Sequence, residues 1–178
     1  MSYKLDRKLL SANDIGRRID DLAMEIKRDY KHNLPVFLPV LTGAFVLSAD
    51  LIRRFNPSPQ VEFIRASSYC SKTKSSGDVR IEGIGDVSIE GKRVLVIEDI
   101  IDTGLTIVEL KKQLQKLNPI DIRIVTLLDK HERREHNIEI NYIGFKIRNH
   151  FVVGYGMDYN QMYRGLQDIW IIEASEEL

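Results

Sequence analysis

The sequence predicts an α/β domain with a mostly parallel central sheet flanked by helices. Short apolar runs of strand length, RVLVIED (93–99) and IRIVTLL (122–128), lie on either side of a segment with helical period, LTIVELKKQLQKL (105–117). Strand and helix alternating in this way imply parallel strands with helices on both faces. The chain has 178 residues, 43% hydrophobic and 29% charged, which suits one domain with a substantial core.

Taken in order, the first element starts at Ser11, an N-cap residue with Asp14 three positions later as in a capping box. Ile15, Ile19, Leu22, Ala23 and Ile26 recur at helical spacing, and the helix ends before Pro35. PVFLPVL (35–41) reads as a buried strand. After Thr42-Gly43, AFVLSADLIRRF reads as a second helix, and VEFIRAS (61–67) as a strand. Residues 67–86 are rich in Ser, Lys and Gly, with weak alternation only near Val79 and Ile81, and read as a long mobile excursion. NYIGFKI (141–147), FVVGYG (151–156) and DIWIIE (168–173) are further strand candidates.

Composition excludes several classes of function. Lys plus Arg and Asp plus Glu both number 26, so the formal net charge is zero and bulk charge gives no support for nucleic-acid or membrane-surface binding. Cys70 is the only cysteine, which rules out an internal disulfide and fits a reducing compartment. The N-terminal stretch has no apolar core of a signal peptide, and no apolar run approaches the roughly 20 residues that span a bilayer. A cytoplasmic protein is expected. The four histidines and Cys70 form no metal-ligand spacing, and KHERREH (130–136) reads as a solvated, mixed-charge loop.

The chemistry concentrates in VLVIEDIIDTGLTI (94–107). Ligands of open parallel sheets bind beyond the carboxyl ends of the strands, where Glu98 to Thr106 should lie. A strand, a Thr-Gly turn and a helix N-terminus expose free backbone N–H groups at the positive end of the helix dipole, a natural seat for phosphate. Thr103 and Thr106 add hydroxyls, and Gly104 permits close approach. A Walker A loop would need Gly-Lys-Ser/Thr, and a dinucleotide fold would need its glycines before its acid; neither is present. Carboxylates beside a phosphate seat repel phosphate, so Glu98 and Asp99 must serve otherwise, by accepting from sugar hydroxyls or by holding Mg²⁺ through water. Asp102 is placed to exchange a proton with a reacting group. A sugar phosphate with a free diol meets all these demands. The plainer alternative is a buried strand ending in solvated acids, with Asp102 as a helix N-cap.

VLVIEDIIDTGLT resembles the phosphoribosyl-pyrophosphate signature of purine phosphoribosyltransferases, and the chain from about 35 to 173 is similar to the hypoxanthine (hypoxanthine-guanine) phosphoribosyltransferases. The resemblance implies the phosphoribosyltransferase fold as one domain over 1–178. It also implies a small hood from the terminal segments, about 1–10 with the N-terminal helix and about 155–178, and a mobile catalytic loop at about 67–86. It implies transfer of a phosphoribosyl group to hypoxanthine or guanine with Mg²⁺, giving IMP or GMP, by a homodimer or homotetramer.

Carried over by position, Glu98, Asp99, Ile100, Ile101, Asp102, Thr103, Gly104, Leu105 and Thr106 would bind the phosphoribosyl group, with Asp102 as catalytic base near purine N7. Lys130 would donate to the oxygen at C6, Phe151 would stack on the purine, Val152 would read its edge through backbone, and Asp158 would lie near base and metal. Glu98, Asp99 and Asp158 are the implied metal residues. Leu41, Thr42, Gly43 and Ala44 would form the pyrophosphate loop with Arg164 nearby, and a cis peptide is implied between Leu41 and Thr42. Ser68 and Tyr69 fill the places of a Ser-Tyr pair on a lid that excludes water. Two departures stand out: Thr42 and Leu105 occur where many relatives carry lysine, so phosphate binding would rest on backbone and threonines. A non-catalytic regulator with this fold and an enzyme for adenine or xanthine remain as alternatives. Lys130 argues against adenine.

Overall fold

The computed structural model describes residues 2–31, 33–68 and 79–175. Six strands make the main sheet: β2 (Val36–Leu41), β3 (Ile64–Ser68), β4 (Val79–Glu82), β5 (Arg93–Ile101), β6 (Asp121–Asp129) and β7 (Tyr142–Lys146). Their order is β4-β3-β2-β5-β6-β7, parallel throughout except for the antiparallel edge strand β4. A second, three-stranded antiparallel sheet has the order β1-β9-β8, from Ser2–Leu10, Ile169–Ser175 and Val152–Val153.

Side-chain alternation along the central strands divides the core into two layers. Phe37, Leu95, Ile97, Val125 and Leu127 point to the face covered by α1 (Ala12–Tyr30) and α2 (Phe45–Ile52). Val36, Leu38, Val40, Val94, Val96 and Ile124 point to the face where Ile107, Leu110 and Leu114 of α3 (Leu105–Gln115) pack. α1 starts as its sequence predicts: the Asp14 N–H donates to Ser11 Oγ at 3.2 Å, and the Ser11 hydroxyl donates to the Asp14 carboxylate at 2.5 Å.

Four expectations are corrected. The first ten residues, which carry no clear strand alternation, form the nine-residue strand β1 because β9 supplies a partner from the far end of the chain. α1 packs against α2 and β7 on the main sheet and is no part of a hood. Residues 67–86 are not one excursion: Ser67 and Ser68 pair with Arg80 and Val79 as the end of β3 meets β4. FVVGYG keeps only Val152–Val153 as strand, because Gly154 and Gly156 (φ of 100°) and Tyr155 (φ of 51°) leave the extended region. A Cβ at Gly156 would stand 2.2 Å from the carbonyl oxygen of Gly43, so this glycine lets the returning chain touch the loop after β2.

Candidate active site

The parallel register brings the carboxyl ends of β2, β3, β5 and β6 to one edge, where they open on a cleft of about 400 Å³. Leu41, Thr42 and Gly43 form one wall, and Asp99, Ile100 and Asp102 the floor. Lys130, Phe151, Val152, Asp158 and Arg164 close the far side. Residues separated by more than a hundred positions thus meet in one space.

Asp102 is not a helix cap. The N-cap of α3 is Gly104, at φ of 90°, with no side-chain cap hydrogen bond. The carboxylate of Asp102 instead lies between two cations: Lys130 Nζ is 3.4 Å from Oδ2, and Arg133 Nε is 3.2 Å from Oδ1. The second contact lacks hydrogen-bonding geometry, so Oδ1 keeps an unfilled acceptor. Lys130 is 7% exposed, far from the solvated lysine that usually ends a strand, and its backbone N–H is fastened to the Ile101 carbonyl. Phe151, by contrast, is 52% exposed and is therefore no core residue. It meets Tyr159 edge to face at 5.9 Å, at the border of the cleft.

Strand β5 carries its acids where alternation breaks. Asp99 follows Ile97 toward the α1–α2 face, and its Oδ1 accepts from the N–H of the next residue, Ile100, at 2.9 Å. The Asp99 carboxylate presses on Gly43, where a Cβ would fall 1.8 Å from Oδ2. Burial pushes the Asp99 pKa up to about 6, with backbone donors and Arg164 opposing the rise and Asp158 adding to it. Burial, then Asp99, also holds Glu98 well above the usual carboxylate range. Both acids are partly buried, and of the two only Asp99 lies on the cleft floor. Arg164 donates to the Gly156 carbonyl at 2.8 Å and pairs with Asp158 at 2.6 Å.

The bond between Leu41 and Thr42 is cis, as the resemblance implies. Thr103, Gly104, Leu105 and Thr106 form the turn and first residues of α3; the Leu105 N–H donates to Thr103 Oγ1 at 3.4 Å, and the first turn holds no acid to oppose the positive end of the helix dipole. These residues and Glu98 are not part of the cleft lining, and the Ile101 side chain is buried in the α3-side core. Ser68 ends β3, and Tyr69 lies outside the described residues.

Sequence reasoning missed Arg65, Ala66, Ser67 and Met157, which also line the cleft. Arg65 was findable, because it sits near the carboxyl end of a strand expected in the parallel sheet. Met157 looks like any core hydrophobe. The mixed-charge run is corrected too: Arg133 faces Asp102, and Arg134 is largely enclosed, paired with Asp129.

Among the described residues, no three carboxylate, imidazole or thiolate side chains come together as a metal site. Mg²⁺ does not require such a cluster, since it uses one or two carboxylates and completes its shell with water and substrate phosphate. Asp99, whose charge is disfavoured by burial, and Asp158 are the cleft carboxylates suited to it. Glu98 adds a buried Oε2 without a partner.

Residues 7–160 match the family model described as the phosphoribosyl transferase domain. Among curated relatives, the hypoxanthine-guanine phosphoribosyltransferase of Bacillus subtilis is 38% identical over 98% of this chain and 97% of its own. The hypoxanthine-guanine-xanthine phosphoribosyltransferase of Tritrichomonas foetus is 40% identical over 98% and 96%. The crystal structure of a hypoxanthine-guanine phosphoribosyltransferase from Bacillus anthracis superimposes with a TM-score of 0.89 at 38% identity, covering 97% of this chain and 100% of that one.

Proposed function

The chain belongs to the phosphoribosyl transferase family, and on that premise we propose that it is an enzyme of purine salvage. It transfers the 5-phosphoribosyl group from phosphoribosyl pyrophosphate to hypoxanthine or guanine, giving IMP or GMP and pyrophosphate. The observation that carries the reading is one cleft in which an exposed aromatic ring, a buried lysine and an aspartate adjoin the acidic end of β5.

Phe151 stacks on the purine, the backbone of Val152 reads its edge, and Lys130 leaves Asp102 to donate to the oxygen at C6. N9 attacks C1 of the ribose as the C1–O bond to pyrophosphate breaks with inversion. The proton at N7, made acidic as N9 is alkylated, passes to Asp102. Glu98 and Asp99 accept from the ribose hydroxyls, the N–H groups at 103–106 hold the 5′-phosphate, and the Leu41–Gly43 loop with Arg164 meets the pyrophosphate. Asp99 and Asp158 would hold Mg²⁺, which would supply neutralisation of the charge that develops on the pyrophosphate. On the family resemblance, Ser68 and Tyr69 would contribute to a lid that keeps water from the oxocarbenium-like centre. Cytoplasmic location and assembly as a homodimer or homotetramer complete the proposal and rest on the family resemblance. No helix among the described residues is long and apolar enough to cross a membrane.

The test is a spectrophotometric assay with phosphoribosyl pyrophosphate, Mg²⁺ and each of four purines. IMP and GMP should form from hypoxanthine and guanine, with no product from adenine. Absence of nucleotide from both 6-oxopurines would falsify the reading.

A further inference from the structure

The loop that receives the 5′-phosphate has no charged side chain of its own between Thr103 and Thr106, and its N-cap residue, Gly104, supplies no capping side chain. Its shape is held from outside, by the segment after β6. The N–H groups of Glu135 and His136 both donate to the Thr103 carbonyl, each at 3.1 Å. Arg134 lies against Gly104: its Nη1 is 3.2 Å, and its Cδ 3.3 Å, from the point a Cβ would occupy there. The guanidinium is paired with Asp129, and with side chains 17% and 5% exposed this is the most enclosed ion pair among the described residues. Asp129 is itself fixed at the end of β6, opposite Ile101 in the strand register. Arg134 Nη1 is buried and has no hydrogen-bond acceptor.

A surface salt bridge would need none of this. An enclosed guanidinium, tied on one side and with an unused donor toward the glycine of an anion loop, is arranged to favour negative charge at that loop. From this we infer that Arg134 is a positioning residue for phosphate. Anchored by Asp129, it holds Thr103-Gly104 in the shape whose N–H groups face the ligand, and it supplies the positive field that Leu105 cannot. Arg133, one position earlier, serves a different group by facing Asp102. The inference rests on the functional reading above and deepens it.

The test reads phosphate alone, by comparing affinities for IMP and inosine, which differ only in the 5′-phosphate, by titration calorimetry. Arg134→Met keeps the volume and removes the charge. It should weaken IMP about tenfold and leave inosine unchanged, while Arg134→Lys should recover most of the loss. Unchanged IMP affinity, or equal losses for IMP and inosine, overturns the inference. Should Arg134→Met not fold, Asp129→Asn, which frees the guanidinium from its anchor, is judged by the same comparison. A wild-type protein that binds inosine as tightly as IMP would instead overturn the phosphate assignment of the loop, and the inference with it.

Discussion

Asp102 and Asp99 lie three residues apart on one strand end, yet their surroundings assign them opposite electrostatics. Asp102 faces Lys130 and Arg133, whereas Asp99 is pressed by burial against Gly43 and next to Asp158. Replacing Asp102 by Ala removes the proton acceptor and leaves Lys130 in the cleft without its partner. Turnover should fall by about 10²–10⁴-fold, the usual contribution of a positioned general base. Retention of near wild-type kcat, with nucleotide affinity intact, would show that Asp102 takes no proton.

Asp99 gives a pH prediction of definite sign. Its folded pKa of about 6 lies above the unfolded value, near 4, so the folded protein binds more protons between those values. Stability therefore falls as pH rises from about 4 to about 6, and the penalty stays in full above that range. Asp99→Asn should raise stability by roughly 1–2 kcal/mol at pH 8 and hardly change it at pH 4, measured by denaturant melts. Activity moves the other way: the ionised carboxylate accepts from both ribose hydroxyls more strongly than the protonated acid, so kcat/KM for the donor should decline below about pH 6. A residue that destabilises the fold where the enzyme works is the usual mark of a functional site.

At the scale of elements, two contacts separate stability from function. Ser11 caps α1 on the side of the sheet opposite α3, remote from the phosphate turn, so Ser11→Ala should cost about 1 kcal/mol and leave KM values unchanged. Gly156 touches Gly43 across the cleft wall and is at positive φ. Gly156→Ala should push the Leu41–Gly43 loop away from Arg164 and raise the KM for phosphoribosyl pyrophosphate at least tenfold, with a stability loss of about 1–3 kcal/mol. A donor KM within twofold of wild type would show that this contact does not shape the loop.

At the scale of the molecule, the small sheet joins the two ends of the chain to the segment proposed to bind the base. β1 pairs with β9, and β9 with Val152 and Val153, directly after Phe151. Lys8 pairs with Asp168 at 2.7 Å, and Asp168 also accepts from the N–H of Ala12, which ties this sheet to the start of α1. Removing residues 1–10 should therefore lower the melting temperature and raise the KM for hypoxanthine more than that for the donor. Equal changes in both would place the small sheet outside base recognition.

How far the sequence reached depended on how local each signal was. Strand β5, the turn after it and α3 were legible because period, Thr-Gly and acids lie within fourteen consecutive residues. The cap of α1 was legible for the same reason, as were the apolar strands β2 and β6. β1 was not, because its pairing partner lies more than 150 residues away and its own composition is mixed. Arg134 was lost in a charged run whose solvated look was overturned by one buried partner, Asp129. The sequence by itself determined the α/β class and a turn suited to a sugar phosphate, since backbone geometry and helix dipoles follow from local residue order. Only the tertiary structure decided that Lys130 is buried beside Asp102, that Phe151 faces the cleft, and that Arg134 braces the turn. Burial and charge pairing are properties of what surrounds a residue, and the surroundings exist only once the chain has folded.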